Sequence, residues 1–399
     1  MWTPRALSRR LFPRRGVAGF VRLARLAGFL FLAVVVAGPA VAFETRAPTA
    51  ILVDVGTGRV LYEKNADDPI PPASLAKLMT ATVVFDMLKT GETTRDATFE
   101  VSEKAWREGG ANSGGSTMFL PVNEAVSLDD LIKGLIIQSG NDAAIVIAEG
   151  LAGSVETFAD RMNAEATALG LSRSHFVNPH GLPAPGQKVT MRDLAVLAEH
   201  MIKSFPEDYA LFSQEKFTFN GITQRNRNPL LALGADGLKT GHTSASGYGL
   251  VASATRDGRR IVLAMSGMQS SEERAREARR LMDFGLQDFE EVTLVEAGQP
   301  VGEAAVSAGA AASVPLVPAQ TLTVLVPRGS LADVTRRIES NGPLPAPVQK
   351  GQRAGWAIFT RGGETLRQVP LYAAGDVARA GVLSRIAATV AAQFRPDQP

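Results

Sequence analysis

No cysteine occurs in the 399 residues. That absence removes disulfides and a thiol nucleophile from consideration, and it leaves the chain indifferent to an oxidising compartment. Histidine is scarce as well. His175, His180, His200 and His242 are the only four, none at a familiar zinc spacing, so the sequence calls for no metal and no other cofactor. Long apolar runs are almost missing, and the one that matters for targeting lies near the start.

Arg5, Arg9, Arg10, Arg14, Arg15, Arg22 and Arg25 precede that run, which extends from Leu26 to Val36 and is followed by Ala40-Val41-Ala42. A basic start, an apolar core too short for a comfortable span and a small-x-small tripeptide are the parts of a cleaved secretory signal rather than a retained anchor. Residues 1–42 are read as that signal, and the mature chain is expected to begin near Phe43. Ser8-Arg9-Arg10-Leu11-Phe12 resembles a twin-arginine signal, although its distance from the apolar core favours the general secretory route. Removing the segment takes seven arginines and no acid from 42 basic and 40 acidic side chains, which leaves a net charge of −5. The mature surface therefore offers no electrostatic reason to bind nucleic acid.

With 45% hydrophobic residues, the remainder can bury an ordinary core in two domains. Ile51-Leu52-Val53 turns at Gly56-Thr57-Gly58 and returns through Val60-Leu61 as a hairpin. Apolar spacing predicts a helix from Ser74 to about Lys89, a helical region over 128–151 broken at Ser139-Gly140-Asn141, and helices over 155–169 and 190–202. Two β-rich runs between Gly249 and Gly267 flank Asp257-Gly258, a pair suited to a tight hairpin turn. Helices and antiparallel strands thus mix without βαβ alternation, predicting an α+β domain over 43–290. Short β-prone runs separated by Gly and Pro predict a smaller β-rich domain over 291–372. In the last segment, residues 373–399, Leu383, Ile386, Ala387, Val390, Ala391 and Phe394 recur at helical spacing, the pattern of an amphipathic helix for a membrane surface.

Three short motifs carry chemistry. Ser74-Leu75-Ala76-Lys77 sets a hydroxyl and an amine one helical turn apart, and lysine can serve as a base if burial or a neighbouring cation lowers its pKa. By itself this spacing is weak, since Ser213-Gln214-Glu215-Lys216 repeats it without partners. Ser139-Gly140-Asn141 follows Ser74 by 65 residues and sits at the break between helices. Lys239-Thr240-Gly241-His242-Thr243 precedes the strong hairpin, which predicts an edge strand. Lys89-Thr90-Gly91 copies its triplet but reads as a helix stop signal.

Ser-x-x-Lys, Ser-x-Asn and Lys-Thr-Gly in this order resemble the penicillin-binding protein and serine β-lactamase superfamily. Within it, Ser116-Thr117-Met118-Phe119-Leu120, Gln138 to Ala143, Pro179-His180-Gly181-Leu182, Asn226-Arg227-Asn228 and Lys239 to Thr243 look like the low-molecular-weight D-alanyl-D-alanine carboxypeptidases. The resemblance runs from about Phe43 to Leu371. It implies an antiparallel sheet flanked by helices with a cleft at one sheet edge, and a β-rich domain after it. It also implies that Ser74 is the nucleophile, Lys77 its base, and Ser139 and Lys239 a relay to the leaving D-alanine. Asn141 would contact the substrate backbone, and the N–H groups of Ser74 and His242 would form an oxyanion hole. Thr240, Arg227 and Arg274 are candidates to hold a terminal carboxylate, and the two lysines would depress one another's pKa. His180 is read as ordering a loop beside the site.

The implied partners are peptidoglycan stem peptides and, as covalent inhibitors, β-lactams. The expected location is the periplasm, on the outer face of the inner membrane. A DD-endopeptidase is the alternative function. A β-lactamase is a further rival, but class A enzymes use a Glu to hydrolyse the acyl-enzyme, and the stretch from Ser172 to Lys188 contains no acid. An idle wall-binding protein would be expected to have lost a motif, and all three are intact.

Overall fold

A computed structural model describes residues 43–381. Residues 1–42, which the sequence reads as a signal, and most of the tail fall outside the described residues. Five strands form the central sheet: β1 (Thr49–Asp54), β2 (Arg59–Lys64), β3 (Ala235–Thr243), β4 (Gly247–Arg256) and β5 (Arg259–Met268). Their order is β2-β1-β5-β4-β3, antiparallel throughout, so β3 with the Lys-Thr-Gly motif is an edge strand, as its place before the hairpin predicts.

All six residues of β1 are buried because the sheet is covered on both faces. Side chains alternate along a strand. Ile51 and Val53 join the core that includes Leu194 and Leu197 of helix Met191–Ser204, while Leu52 and Ile261 lie under Gly285 of helix Ser271–Gln287. A Cβ at Gly285 would stand 2.7 Å from Leu52, so the absent side chain is what lets that helix lie close.

The remaining helices pack beyond the first face. Ser74 lies in a short 3₁₀ turn, Ala73–Ala76, and α1 (Lys77–Thr90) follows without a break. The predicted helix thus starts in tighter form, in which residues three apart eclipse and bring Ser74 and Lys77 together. Lys89 in the last turn and Gly91, left-handed at φ 79°, stop it as the sequence implied. The second helical region divides into α2 (Leu128–Lys133), a π-helical turn over Gly134–Gln138 and α3 (Asn141–Ala152). Ser139 sits at the break in the left-handed conformation, φ 63°, uncommon for a residue with a Cβ. α4 (Val155–Ala168), α5 (Met191–Ser204) and α6 (Ser271–Gln287) each begin with a serine or threonine whose side chain accepts the N–H three residues on.

After α6 the chain becomes β-rich. The strands are β6 (Phe289–Val295), β7 (Gly302–Ser307), β8 (Ser313–Pro318), β9 (Leu322–Pro327), β10 (Val334–Ser340), β11 (Leu344–Pro345), β12 (Arg353–Arg361) and β13 (Glu364–Ala373). Six make a sheet ordered β10-β12-β13-β8-β7-β11, and β6 pairs with β9. Its core holds Val314, Leu316, Phe359 and Leu371. The sequence boundary at 290/291 falls inside β6, and the one at 372/373 cuts the last residue from β13. The stretch assigned to the tail also begins differently, because Val377 bridges Val348 and Arg379 bridges Gly309 in extended form. Backbone bonds to the β-rich domain hold residues 377–380, so any tail helix starts later. Among the described residues, no helix is long and apolar enough to cross a membrane.

Candidate active site

Lys77 Nζ is the hub of the site. It lies 3.0 Å from Ser74 Oγ, 2.7 Å from Asn141 Oδ1 and 2.7 Å from the carbonyl oxygen of His180. The side chain is 1% exposed, and burial pushes its pKa down to about 7, with help from the Arg227 guanidinium and against the pull of Asp142. A neutral amine has two hydrogens and one lone pair. Asn141 Oδ1 and the His180 carbonyl can only accept, so they take the two hydrogens and leave the lone pair for the Ser74 hydroxyl. The amine is thereby arranged to receive a proton from Ser74.

Lys239 is 3% exposed, and its Nζ donates to the Thr240 carbonyl. Burial first, then the charges of Lys77, Arg227 and Arg274, hold it well below the usual lysine range. The expected mutual effect of the lysines is found on Lys239, whereas for Lys77 the cation that acts is Arg227. The Ser139 hydroxyl makes no hydrogen bond among the described residues and borders the cleft.

That cleft has a volume of about 450 Å³, and Ser74, Ser139, Asn141, Arg227, Thr240, His242 and Arg274 all line it. The structure therefore brings together every residue that the motifs singled out, with Lys77 and Lys239 buried beside them. Ser213, the copy of the Ser-x-x-Lys serine, donates to Ala210 O on the surface and lies outside the cleft. The Arg227 guanidinium donates to the Ser116 hydroxyl. Arg274 is nine-tenths buried, yet its Nε finds no hydrogen-bond partner.

The segment 172–188 closes one side of the site. The His180 ring nitrogen Nδ1 accepts from Leu182 N at 3.1 Å, which requires the neutral ring, and burial followed by the Lys77 charge lowers its pKa to about 3. His180 thus orders the loop, as read from sequence, and its carbonyl also reaches the amine. Gly181 makes this approach possible. Its φ is 89°, and a Cβ there would lie 1.7 Å from Ala73 O, next to Ser74. Gly181→Ala is expected to destabilise the fold by roughly 2–5 kcal/mol through strain and overpacking. A lowered Tm with slower modification of Ser74 would agree, and an unchanged Tm would not.

Asp142 carries structural weight that the motifs did not disclose. Its buried carboxylate accepts from the Thr117 hydroxyl at 2.6 Å, Met118 N at 2.8 Å and Leu120 N at 3.2 Å. These bonds fix the irregular segment 116–120, whose Ser116 carbonyl accepts the Asn141 N–H at 2.8 Å. An acid directly after Ser-x-Asn, in the first turn of a helix, was the available signal. Asn141 itself turns its oxygen to Lys77, while its amide nitrogen faces Gly115 at the cleft wall.

A hydroxyl beside a buried lysine amine of lowered pKa, at the edge of an antiparallel sheet, is the arrangement expected of an active-site-serine acyl-transfer enzyme. Known proteins narrow that class. Residues 35–270 match the D-alanyl-D-alanine carboxypeptidase family, and residues 289–379 match the C-terminal domain of penicillin-binding protein 5. The D-alanyl-D-alanine carboxypeptidase DacC of Escherichia coli K12 is 40% identical over 341 residues, 84% of this chain and 85% of that one. The crystal structure of penicillin-binding protein 5 from Haemophilus influenzae has 36% identity and a TM-score of 0.68, over 84% of this chain and 99% of that one. The carboxypeptidase DacD from Francisella tularensis gives 31% identity and a TM-score of 0.72, over 85% and 95%. The chain belongs to the D-alanyl-D-alanine carboxypeptidase family and is a serine-type hydrolase.

Proposed function

We propose that the protein removes the terminal D-alanine of peptidoglycan pentapeptides through an acyl-enzyme on Ser74. The observation that carries this reading is the triple coordination of Lys77 Nζ, which leaves a lone pair for the Ser74 proton. Ser74 Oγ attacks the carbonyl carbon of the penultimate D-alanine while its proton passes to Lys77. The N–H groups of Ser74 and His242 hold the oxyanion. As the C–N bond breaks, the departing amine takes a proton by way of Ser139 and Lys239, and D-alanine leaves. Water then cleaves the Ser74 ester. Thr240, Arg227 and Arg274 grip the terminal carboxylate, and Asn141 offers its amide nitrogen to the peptide backbone. Purified protein incubated with a muramyl pentapeptide is expected to release free D-alanine and leave a tetrapeptide. Cleavage confined to cross-linked dimers would instead favour a DD-endopeptidase.

Because Lys77 must be unprotonated to act, acylation is expected to rise with pH through about 7 and then level off. Single-turnover labelling from pH 5 to 9 measures this, and a flat profile would remove Lys77 as the base. The loop that contains His180 supports slow deacylation, since it has no acid and its polar groups are engaged with one another: Gln187 Oε1 accepts from Val177 N and Asn178 N, and Asn178 Oδ1 from Gly181 N.

Such substrates place the enzyme in the periplasm after removal of residues 1–42, and the carboxyl-terminal segment would hold it weakly on the outer face of the inner membrane. Since residues up to 380 are tied to the β-rich domain, the informative truncation ends at Gly381. The truncated protein is expected to shift from the membrane to the buffer fraction. Equal partition of the two forms would rule out the anchor.

A further inference from the structure

Arg274 is an unusual cation. It is nine-tenths buried at the cleft wall, its Nε has no partner, and no ion pair or side-chain hydrogen bond holds it among the described residues. Among the acids of its own helix, Glu272 acts on it only through charge and accepts from the Ser271 hydroxyl, Glu273 Oε2 accepts from Gln269 N, and Glu277 accepts from Thr45, Arg46 N and Arg280. The guanidinium lies over an aromatic ring. Its carbon stands 5.7 Å from the centroid of the Tyr248 ring, and that ring stacks on His242 with centroids 3.9 Å apart and planes 25° from parallel.

Strand register explains the stack, because His242 of β3 and Tyr248 of β4 are direct partners across the hairpin. Directly opposed side chains on one sheet face lie close enough to pair. The sheet therefore fixes the Tyr248 ring, and that ring lies under the Arg274 guanidinium at cation–π distance. A desolvated arginine on a tyrosine face is held in orientation without spending its N–H donors.

We infer that Tyr248 is a positioning residue for substrate recognition: seated on His242, it holds the Arg274 guanidinium in the plane that meets the substrate's terminal carboxylate. This inference rests on the carboxylate-gripping role proposed above for Arg274. Removing the ring leaves Arg274 in place but frees it to turn, so it weakens the grip on the carboxylate more than it slows bond cleavage at Ser74.

The test compares the wild type with Tyr248→Phe and Tyr248→Leu, using a peptide ending in D-alanyl-D-alanine and, separately, Ser74 acylation by benzylpenicillin and by its methyl ester. For Tyr248→Leu, KM for the peptide is expected to rise roughly tenfold while kcat changes far less, as loss of a desolvated cation–π contact implies. Acylation by benzylpenicillin should slow by a similar factor, and acylation by the carboxylate-free ester should change little. Tyr248→Phe keeps the ring and should restore the wild-type KM. An unchanged KM in Tyr248→Leu overturns the inference. So does equal slowing with acid and ester, which would mean that the substitution disturbs the backbone at His242. Arg274→Ala separates the two claims: if it fails to discriminate acid from ester, the role of Arg274 itself falls, whatever Tyr248 does.

Discussion

Lys77→Ala lowers the rate of Ser74 acylation by about 10²- to 10⁴-fold, the usual cost of losing a positioned general base. The expected size follows from the geometry. Without the amine, no other proton acceptor lies within hydrogen-bond distance of Ser74 Oγ among the described side chains. The substitution also strips two acceptors, Asn141 Oδ1 and the His180 carbonyl, of their donor, and an unpaired buried acceptor costs about 1–3 kcal/mol. Some loss of stability should accompany the loss of rate. Lys77→Met separates these effects, because it fills the volume and offers no base. If the methionine variant recovers acylation, packing was responsible; if it stays as slow as alanine, proton transfer was. Lys239→Ala is expected to slow turnover over the same range, because it removes a buried group from the proposed path to the leaving D-alanine. Normal turnover in a folded variant would take Lys239 out of the mechanism.

Much of this site was legible because its parts follow local rules. Three-residue spacing at a helix start brings Ser74 and Lys77 to one face, a Gly beside an Asn breaks the helix at Ser139, and a strand just before a tight hairpin presents Lys239 at a sheet edge. The remainder depends on contacts between distant segments. A carbonyl group leaves no mark in sequence, so the His180 oxygen on Lys77 could not be read from Pro179-His180-Gly181. The resemblance gives Asn141 a substrate contact, and the structure adds that its oxygen accepts from Lys77 Nζ. The Arg274 stack depends on the register of β3 against β4, which pairs Tyr248 with His242.

The fold divides in the same way. Alternation and turn residues marked the five-stranded sheet and the helices over it. Strand order in the β-rich domain was not readable, because β8 and β13 pair residues 53 to 57 positions apart and short apolar runs carry no label of their partner. The same blindness displaced the tail boundary: residues 373–380 were counted with the tail, yet Val377 forms an extended bridge to Val348 of the β-rich domain.

The central claim is that Ser74 becomes acylated, and a penicillin tests it directly. The strained amide of a β-lactam mimics the D-alanyl-D-alanine terminus, so Ser74 should open it, and the tethered leaving group cannot diffuse away. Mass spectrometry of the mature protein after incubation should find one added drug mass, located on the tryptic peptide that contains Ser74. With no acid in residues 172–188 to activate a water, the adduct should persist for minutes or longer. Ser74→Ala should take up nothing, and Ser213→Ala should label as the wild type does. Labelling on Ser213, or a folded wild-type protein that takes up no drug, would contradict the assignment of the nucleophile and the function built upon it.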